Sequence, residues 1–204
     1  MPRLVVATTN PGKLKEIAQL LAGTPVELAT LADYPETPPP AETGRTFAEN
    51  ARLKALFYAR HTGDLTVAED SGLEIDALDG APGVESARFG GEQSAYPEKF
   101  LLIYDALRRR KASGSAARFV CALALVKDGN VLFETRGTVE GTIAPEPRGT
   151  GGFGYDPIFF YPPFGCTLAE AGDRKDTVSH RGEAFRKLRA YLTTSNAELA
   201  EPAE

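Results

Sequence analysis

Residues 117–141, "ARFVCALALVKDGNVLFETRGTVEG", read as two β-strands joined across Asp128-Gly129-Asn130, a hairpin turn. Far upstream, "LVVAT" (4–8) is a short apolar run of the kind found in buried strands. It feeds "NPGKLKEIAQLLAG", a turn and then an amphipathic helix with Leu14, Ile17, Leu20 and Leu21 on one face, closed by Gly23. "DYPETPPPAETG" is a proline-rich loop, too stiff and donor-poor for an internal strand. A second helix starts at Thr46, whose capping box with Glu49 is complete. It runs to about residue 60 and buries Phe47, Ala51, Leu53 or the stem of Lys54, and Leu56 or Phe57. "LTVAEDSGLEID" has the form strand, acidic turn, strand, and "GAPGVESARFGGEQ" is a glycine-rich surface segment. Helices over 97–111 and 182–193 and a short capped turn at 167–170 complete the pattern. Helices alternating with strands, plus one long hairpin, predict an α/β fold with a mixed central sheet and flanking helices.

A chain of 204 residues suits one domain, or one core split into two lobes around a cleft. The expectation is a single domain over 1–195 and a polar, acidic, frayed tail over 196–204. The content is ordinary for a globular protein, 42% hydrophobic and 25% charged. No apolar run approaches the roughly 20 residues that span a bilayer, and "MPRLVVATTN" leaves no room for a signal peptide. Cys121 and Cys166 have neither metal-ligand spacing nor a disulfide framework, which points to a reducing cytoplasm. A net charge of −5 gives no general attraction to nucleic acid. The one basic run, "RRRK" (108–111), ends a predicted helix, where cations complement the dipole.

Four segments carry candidate chemistry. "TTNPGK" (Thr8, Thr9, Asn10, Pro11, Gly12, Lys13) joins a strand to a helix N-terminus. Free amides, the helix dipole and Lys13 favour phosphate there. The plain alternative is a turn capped by Asn10 with Pro11 at the first helical position. In "AEDSGL", Glu69 and Asp70 are neighbours on a strand, so they point to opposite faces and only one need meet a ligand. Mg2+ typically takes one or two such carboxylates plus substrate phosphate oxygens, and Glu42 in "AETGRTF" could supply the second. "GTGGFGYDPIFF" (149–160) sets glycines around Phe153 and Tyr155, with Asp156 before an apolar strand. Glycines weaken a chain unless it must turn left-handed or be approached closely. "KDTVSHRGEAF" (175–185) brings Lys175, His180 and Arg181 to the start of the last helix. Arg181 offers a planar fork for phosphate or a base carbonyl, while His180 could equally be a packed or capping residue. Together these segments describe a nucleoside triphosphate site.

Five motifs, "ATTNPGKLKEI", "AETGRTFAENARLKA", "AEDSGLEIDALDGAPGVESARF", "GTGGFGYDPIFF" and "SHRGEAFRKL", stand in this order. In that order and form the chain resembles the inosine triphosphate pyrophosphatase family over nearly its whole length. The resemblance implies Mg2+-dependent hydrolysis of non-standard purine nucleotides (ITP, dITP, XTP) to the monophosphate and pyrophosphate by a homodimer. It places the phosphate loop on Thr8–Lys13, the catalytic acid and metal ligand on Asp70, and the second metal acid on Glu42. Substrate contacts fall on Ser71, Phe153, Gly154, Tyr155, Asp156, Lys175, His180 and Arg181, with Asn50 and Lys54 near the phosphates. Many members read "DDSG" where this chain has Glu69-Asp70. On this reading a purine lies on Phe153 and the glycines let the backbone approach the nucleotide. Asp156 holds ribose, water or Lys175; Lys13, Lys54 and Lys175 meet the leaving pyrophosphate; and Arg181, His180 or backbone amides read O6. A related pyrophosphatase of different base preference, or a nucleotide sensor without chemistry, is the alternative.

Overall fold

The computed structural model of the protein describes residues 1–195; the expected acidic tail, 196–204, lies outside them. In chain order the strands and α-helices are β1 (Arg3–Val6), α1 (Pro11–Leu20), β2 (Glu27–Thr30), α2 (Phe47–Thr62), β3 (Leu65–Ile75), α3 (Tyr96–Arg109), β4 (Ala116–Lys127), β5 (Asn130–Ile143), β6 (Phe159–Tyr161), β7 (Cys166–Thr167) and α4 (His180–Thr194). The strands form one sheet in the order β2-β1-β3-β4-β5-β6-β7. β1 runs parallel to β2 and β3, and β6 antiparallel to β5 and β7, which is the mixed sheet expected. Asp128 and Gly129 both have positive φ, as a tight turn that matches strand twist requires.

Two sequence expectations change and one element is added. β2, which the sequence reading does not single out, is a four-residue edge strand with two exposed residues, too short to show a period. β3 is one strand of 11 residues rather than strand, turn, strand. Both acidic side chains find cations inside the protein, described below, so the chain has no cause to turn out to solvent there. On α2 the buried stripe is Phe47, Asn50, Ala51, Ala55, Tyr58 and Ala59; Leu53, Lys54, Leu56 and Phe57 are only partly covered.

The chain divides into two compact units. The first comprises Met1–Asp70, Cys121–Gly137 and the segment from Arg181; the second comprises Ser71–Val120 and Thr138–His180. The first unit's core joins Leu4 and Val6 of β1, Ile17 of α1, Leu65 and Val67 of β3, Leu123 and Leu125 of β4, and Phe185, Leu188 and Leu192 of α4. The second unit's core joins Leu73 and Ile75 of β3, Phe100, Ile103 and Leu107 of α3, Phe119 of β4, Val139 and Ile143 of β5, and Ile158 and Phe159. Among the described residues no helix is long and apolar enough to cross a membrane. Both cysteines are free.

Candidate active site

In the first unit the chemistry begins with the alternation of β3. Leu65 and Val67 face the core shared with α1 and α4, and period two puts Glu69 on that same face. There Glu69 Oε1 lies 2.7 Å from Lys13 Nζ and 3.5 Å from an Arg181 nitrogen. Arg181, only 1% exposed, also donates to Glu16 Oε2 at 2.7 Å. The Cys121 thiol donates to Glu69 Oε2 at 3.5 Å. Burial raises the Glu69 pKa, but Lys13 and then Arg181 outweigh it and hold the carboxyl well below its ordinary value.

Asp70 points the other way, to α2. Asn50 Nδ2 donates to its Oδ2 at 3.2 Å, and Lys54 Nζ donates to its Oδ1 at 2.9 Å. Asn50 and Lys54 are one turn apart on α2, so a single helical face holds both oxygens. Lys54 also donates to Glu42 Oε1 at 2.9 Å. The loop carrying Glu42 is pinned where the Gly44 amide donates to Asn50 Oδ1 at 2.8 Å. A Cβ at Gly44 would fall 2.6 Å from that same oxygen, which explains the glycine of "ETG". For Asp70, burial prevails over the pull of Lys54 and, with Glu42 and Glu69 nearby, raises the pKa. Lys54 loses by burial but gains more from Asp70 and Glu42, so its pKa rises and it stays charged.

At the start of α1, Asn10 Oδ1 accepts from the amides of Gly12 and Lys13 at 2.9 and 3.1 Å, and Pro11 takes the first turn. The Thr8 amide donates to the Val6 carbonyl and the Asn10 amide to Thr8 Oγ1. The capping arrangement is therefore present, and it engages two of the amides expected to meet phosphate. Thr8, Thr9 and Pro11 also line a groove of about 1180 Å3 with Leu14, Tyr34 and Tyr58.

The second unit builds an aromatic shelf. Asp156, 2% exposed, accepts on Oδ2 from the Phe153 amide at 2.8 Å and from Lys175 Nζ at 2.7 Å. The Lys175 ammonium stands 4.4 Å from the Phe153 ring centroid, within cation–π range. Lys175, one of the partners expected for Asp156, is in place. Tyr155 is turned inward: its hydroxyl donates to the Ser86 carbonyl at 2.7 Å and its ring meets Tyr96 edge-to-face at 5.3 Å. Burial raises its pKa far above the ordinary phenol value. His180 is 7% exposed and stacks on Phe119 with ring centroids 5.0 Å apart.

The geometry bears on two sequence readings. At Gly149 and Gly152 of the glycine run the protein itself makes the close approach. A Cβ at Gly149 would meet the Ala169 carbonyl carbon at 2.6 Å, and one at Gly152 would meet Asp156 Oδ2 at 2.1 Å. Lys13, Lys54 and Lys175, read as cations waiting for pyrophosphate, each already hold a carboxylate. Arg181, read as a reader of the base edge, is likewise paired with Glu16 and Glu69. Ser71 and Gly154 keep the neighbour positions the motifs gave them, directly after Asp70 and within the shelf. Sequence reasoning missed Glu16 and Tyr96. Glu16 stands one turn after Lys13 on α1, a spacing that could have flagged it, while Tyr96 gave no signal before the fold was known.

The donor set bears on a metal. Among the described residues no group of three His, Cys, Asp or Glu side chains converges. Two carboxylate oxygens do converge, those of Glu42 and Asp70, on one ammonium. A pair of hard oxygen donors that leaves other positions to phosphate and water fits Mg2+ better than a caged transition metal.

Known proteins place the chain. The model of the Ham1 family matches residues 4–191. A dITP/XTP pyrophosphatase of an Exiguobacterium species is 50% identical over 194 residues, covering 93% of this chain and 96% of that protein. One from Geobacter sulfurreducens is 46% identical over 193 residues, covering 94% and 97%. The structure of a HAM1 protein from Coxiella burnetii superposes with a TM-score of 0.90 at 40% identity, covering 95% of this chain and 100% of that one. The Staphylococcus aureus Ham1 protein gives 0.85 at 33% identity, covering 95% and 99%. A family match across nearly every described element, joined to relatives of 46–50% identity matched almost end to end, identifies the chain as a member of the Ham1 family.

Proposed function

We propose that this protein hydrolyses non-standard purine nucleoside triphosphates, dITP, XTP and ITP, to the nucleoside monophosphate and pyrophosphate, clearing them from the nucleotide pool. Family membership supports the chemistry. The observation that carries it to particular atoms is Asp70, a buried carboxylate of raised pKa gripped by Asn50 and Lys54 and facing Glu42's partner cation.

In this mechanism Asp70 orients a water and takes its proton. The water oxygen bonds to the α-phosphorus as the bond from that phosphorus to the α–β bridging oxygen breaks, and pyrophosphate leaves with the electron pair. A carboxylate whose pKa is raised by burial is a better base than one in water. Glu42 and Asp70 are the residues that would hold Mg2+, which when bound neutralises triphosphate charge and eases ionisation of water. Lys13 and Lys54 stand ready to exchange their carboxylate partners for phosphate oxygens. Phe153, braced from one side by Lys175 and through its amide by Asp156, supplies a face for the purine. Selection turns on position 6: donors that meet the carbonyl of hypoxanthine or xanthine would oppose the amine of adenine. An unpaired buried polar group costs about 1–3 kcal/mol.

Pyrophosphate release from dITP, XTP, ITP, GTP and ATP, with Mg2+ and with chelator, tests the reading. Rapid, metal-dependent release from the first three alone is the expected result; equal release from ATP would remove the argument from position 6. Asp70→Asn should bind dITP and lose nearly all turnover, and a variant that still turns over would sink the assignment of the base. A homodimer and a cytoplasmic setting belong to the same reading. α3 leaves Leu101 68% and Leu102 44% exposed, an apolar face that a second copy could cover, and sedimentation of the free protein would show whether it does.

A further inference from the structure

We propose that Lys54 keeps the metal position of the nucleotide-free protein closed, so that the divalent cation enters with the nucleotide and not before it. The inference rests on the reading of Glu42 and Asp70 as the acids that hold Mg2+. Lys54 Nζ lies 2.9 Å from Glu42 Oε1 and 2.9 Å from Asp70 Oδ1. One ammonium therefore occupies the point on which both acids converge. The other Asp70 oxygen accepts from Asn50, so Oδ1 is the oxygen for which lysine and metal compete. The three side chains are 14%, 24% and 10% exposed, which leaves little water to screen a second cation from the first.

Charge decides the order of events. With Lys54 in place, the two carboxylates and one ammonium sum to −1, and a lone Mg2+ would turn the cluster to +1 while meeting the ammonium at close range. A triphosphate changes this. Its oxygens give Lys54 an anionic partner in exchange for the two it leaves, and they complete the coordination of a hard cation that two carboxylates cannot fill. Release of Lys54 and entry of the metal become one exchange, triggered by phosphate. In the resting protein the same lysine offsets two mostly buried carboxylates that would otherwise repel each other.

Titration of the full-length protein with Mn2+, followed by electron paramagnetic resonance in the absence of nucleotide, tests this directly. Mn2+ is a hard, oxygen-seeking cation that stands in for Mg2+. Wild type should bind it weakly, and Lys54→Met should bind it about tenfold or more tighter. Lys54→Arg, which keeps the charge, should stay as weak as wild type. Tight, stoichiometric binding of Mn2+ to nucleotide-free wild type would overturn the proposal. That arm needs no variant protein should Lys54→Met fail to fold. The underlying assignment is separated by adding Glu42→Gln to Lys54→Met. Loss of the gained affinity supports both readings, whereas a gain that survives the loss of Glu42 places the metal elsewhere and overturns the acid pair itself.

Discussion

Glu69 and Asp70 are adjacent and chemically alike, yet the strand sends them to opposite faces and their environments drive their pKa values in opposite directions. Glu69 meets Lys13 and Arg181 and stays ionised; Asp70 meets one lysine and is raised by burial. The side chain at 69 reaches both cations from the α1/α4 face. Its charge supports the fold. Removing one partner of a buried ion pair costs about 3–5 kcal/mol, because the remaining charges lose their counter-ion. Glu69→Gln should lose about that much in urea melts at pH 7. The sign of its pH dependence follows from the depressed pKa. The stabilisation is complete above the ordinary value of 4.5 and is lost as pH falls below it toward the folded value. The gap between variant and wild type should thus be flat from pH 8 to 5 and narrow only in stronger acid; a gap that closed between pH 8 and 6 would contradict the ion-pair account. From sequence, the pair's division between two faces was readable, because alternation is a property of any strand. Which acid met which cation was not, since Lys13, Lys54 and Arg181 are distant in the chain and only the packed fold brings them in.

At the scale of elements, the shelf of residues 149–156 is held by contacts the protein makes with itself. Gly152 has a φ of 71°, and a Cβ there would sit 2.1 Å from the Asp156 oxygen that accepts from both Phe153 and Lys175. Gly152→Ala therefore faces left-handed strain of about 1–2 kcal/mol and must also displace Asp156. Since Asp156 sets Phe153 and Lys175 but touches no reacting atom in this mechanism, the expected loss is in nucleotide affinity. KM for dITP should rise roughly tenfold or more, equivalent to about 1.4 kcal/mol, with kcat changed far less. An equal fall in kcat at unchanged KM would mean that the shelf acts in the chemical step. The glycine density announced this element in the sequence, but not its cause: glycine signals that something comes close without saying what. α2 was read more fully, because Thr46 and Glu49 make a reciprocal cap, with the Glu49 amide donating to Thr46 Oγ1 and the Thr46 amide to Glu49 Oε2. Phe47 and Ala51 of its buried stripe were read, and the rest was missed because Ala55 and Ala59 carry little hydrophobic weight, although small residues are what let a helix pack closely. β2 escaped notice because it is an edge strand with a mixed face.

At the scale of the molecule, alternating helices and strands and one hairpin were enough for a mixed α/β sheet, while strand order was beyond reach, since partners such as β1 and β3 are joined by pairing across some 60 residues. A core split into two lobes was read from the sequence, without the residues at which it divides. Each unit has its own apolar core, and β3, β4 and β5 each pass from one unit to the other, at 70/71, 120/121 and 137/138. Three continuous strands shared in this way make independent melting costly. Disordering one unit would strip half of each strand of its packing and leave unpaired ladder groups at three points. The two cores should accordingly unfold in one cooperative transition. Phe185 serves the first core at 1% exposure and Phe159 the second at 0%. Replacing either with alanine should cost about 3–5 kcal/mol, lowering the whole of a single calorimetric transition by a similar amount. The contrary result is two resolved transitions, with Phe185→Ala lowering only one and Phe159→Ala only the other. That would make the units separate folding bodies, and the continuity of the three strands would then be no more than a covalent tether.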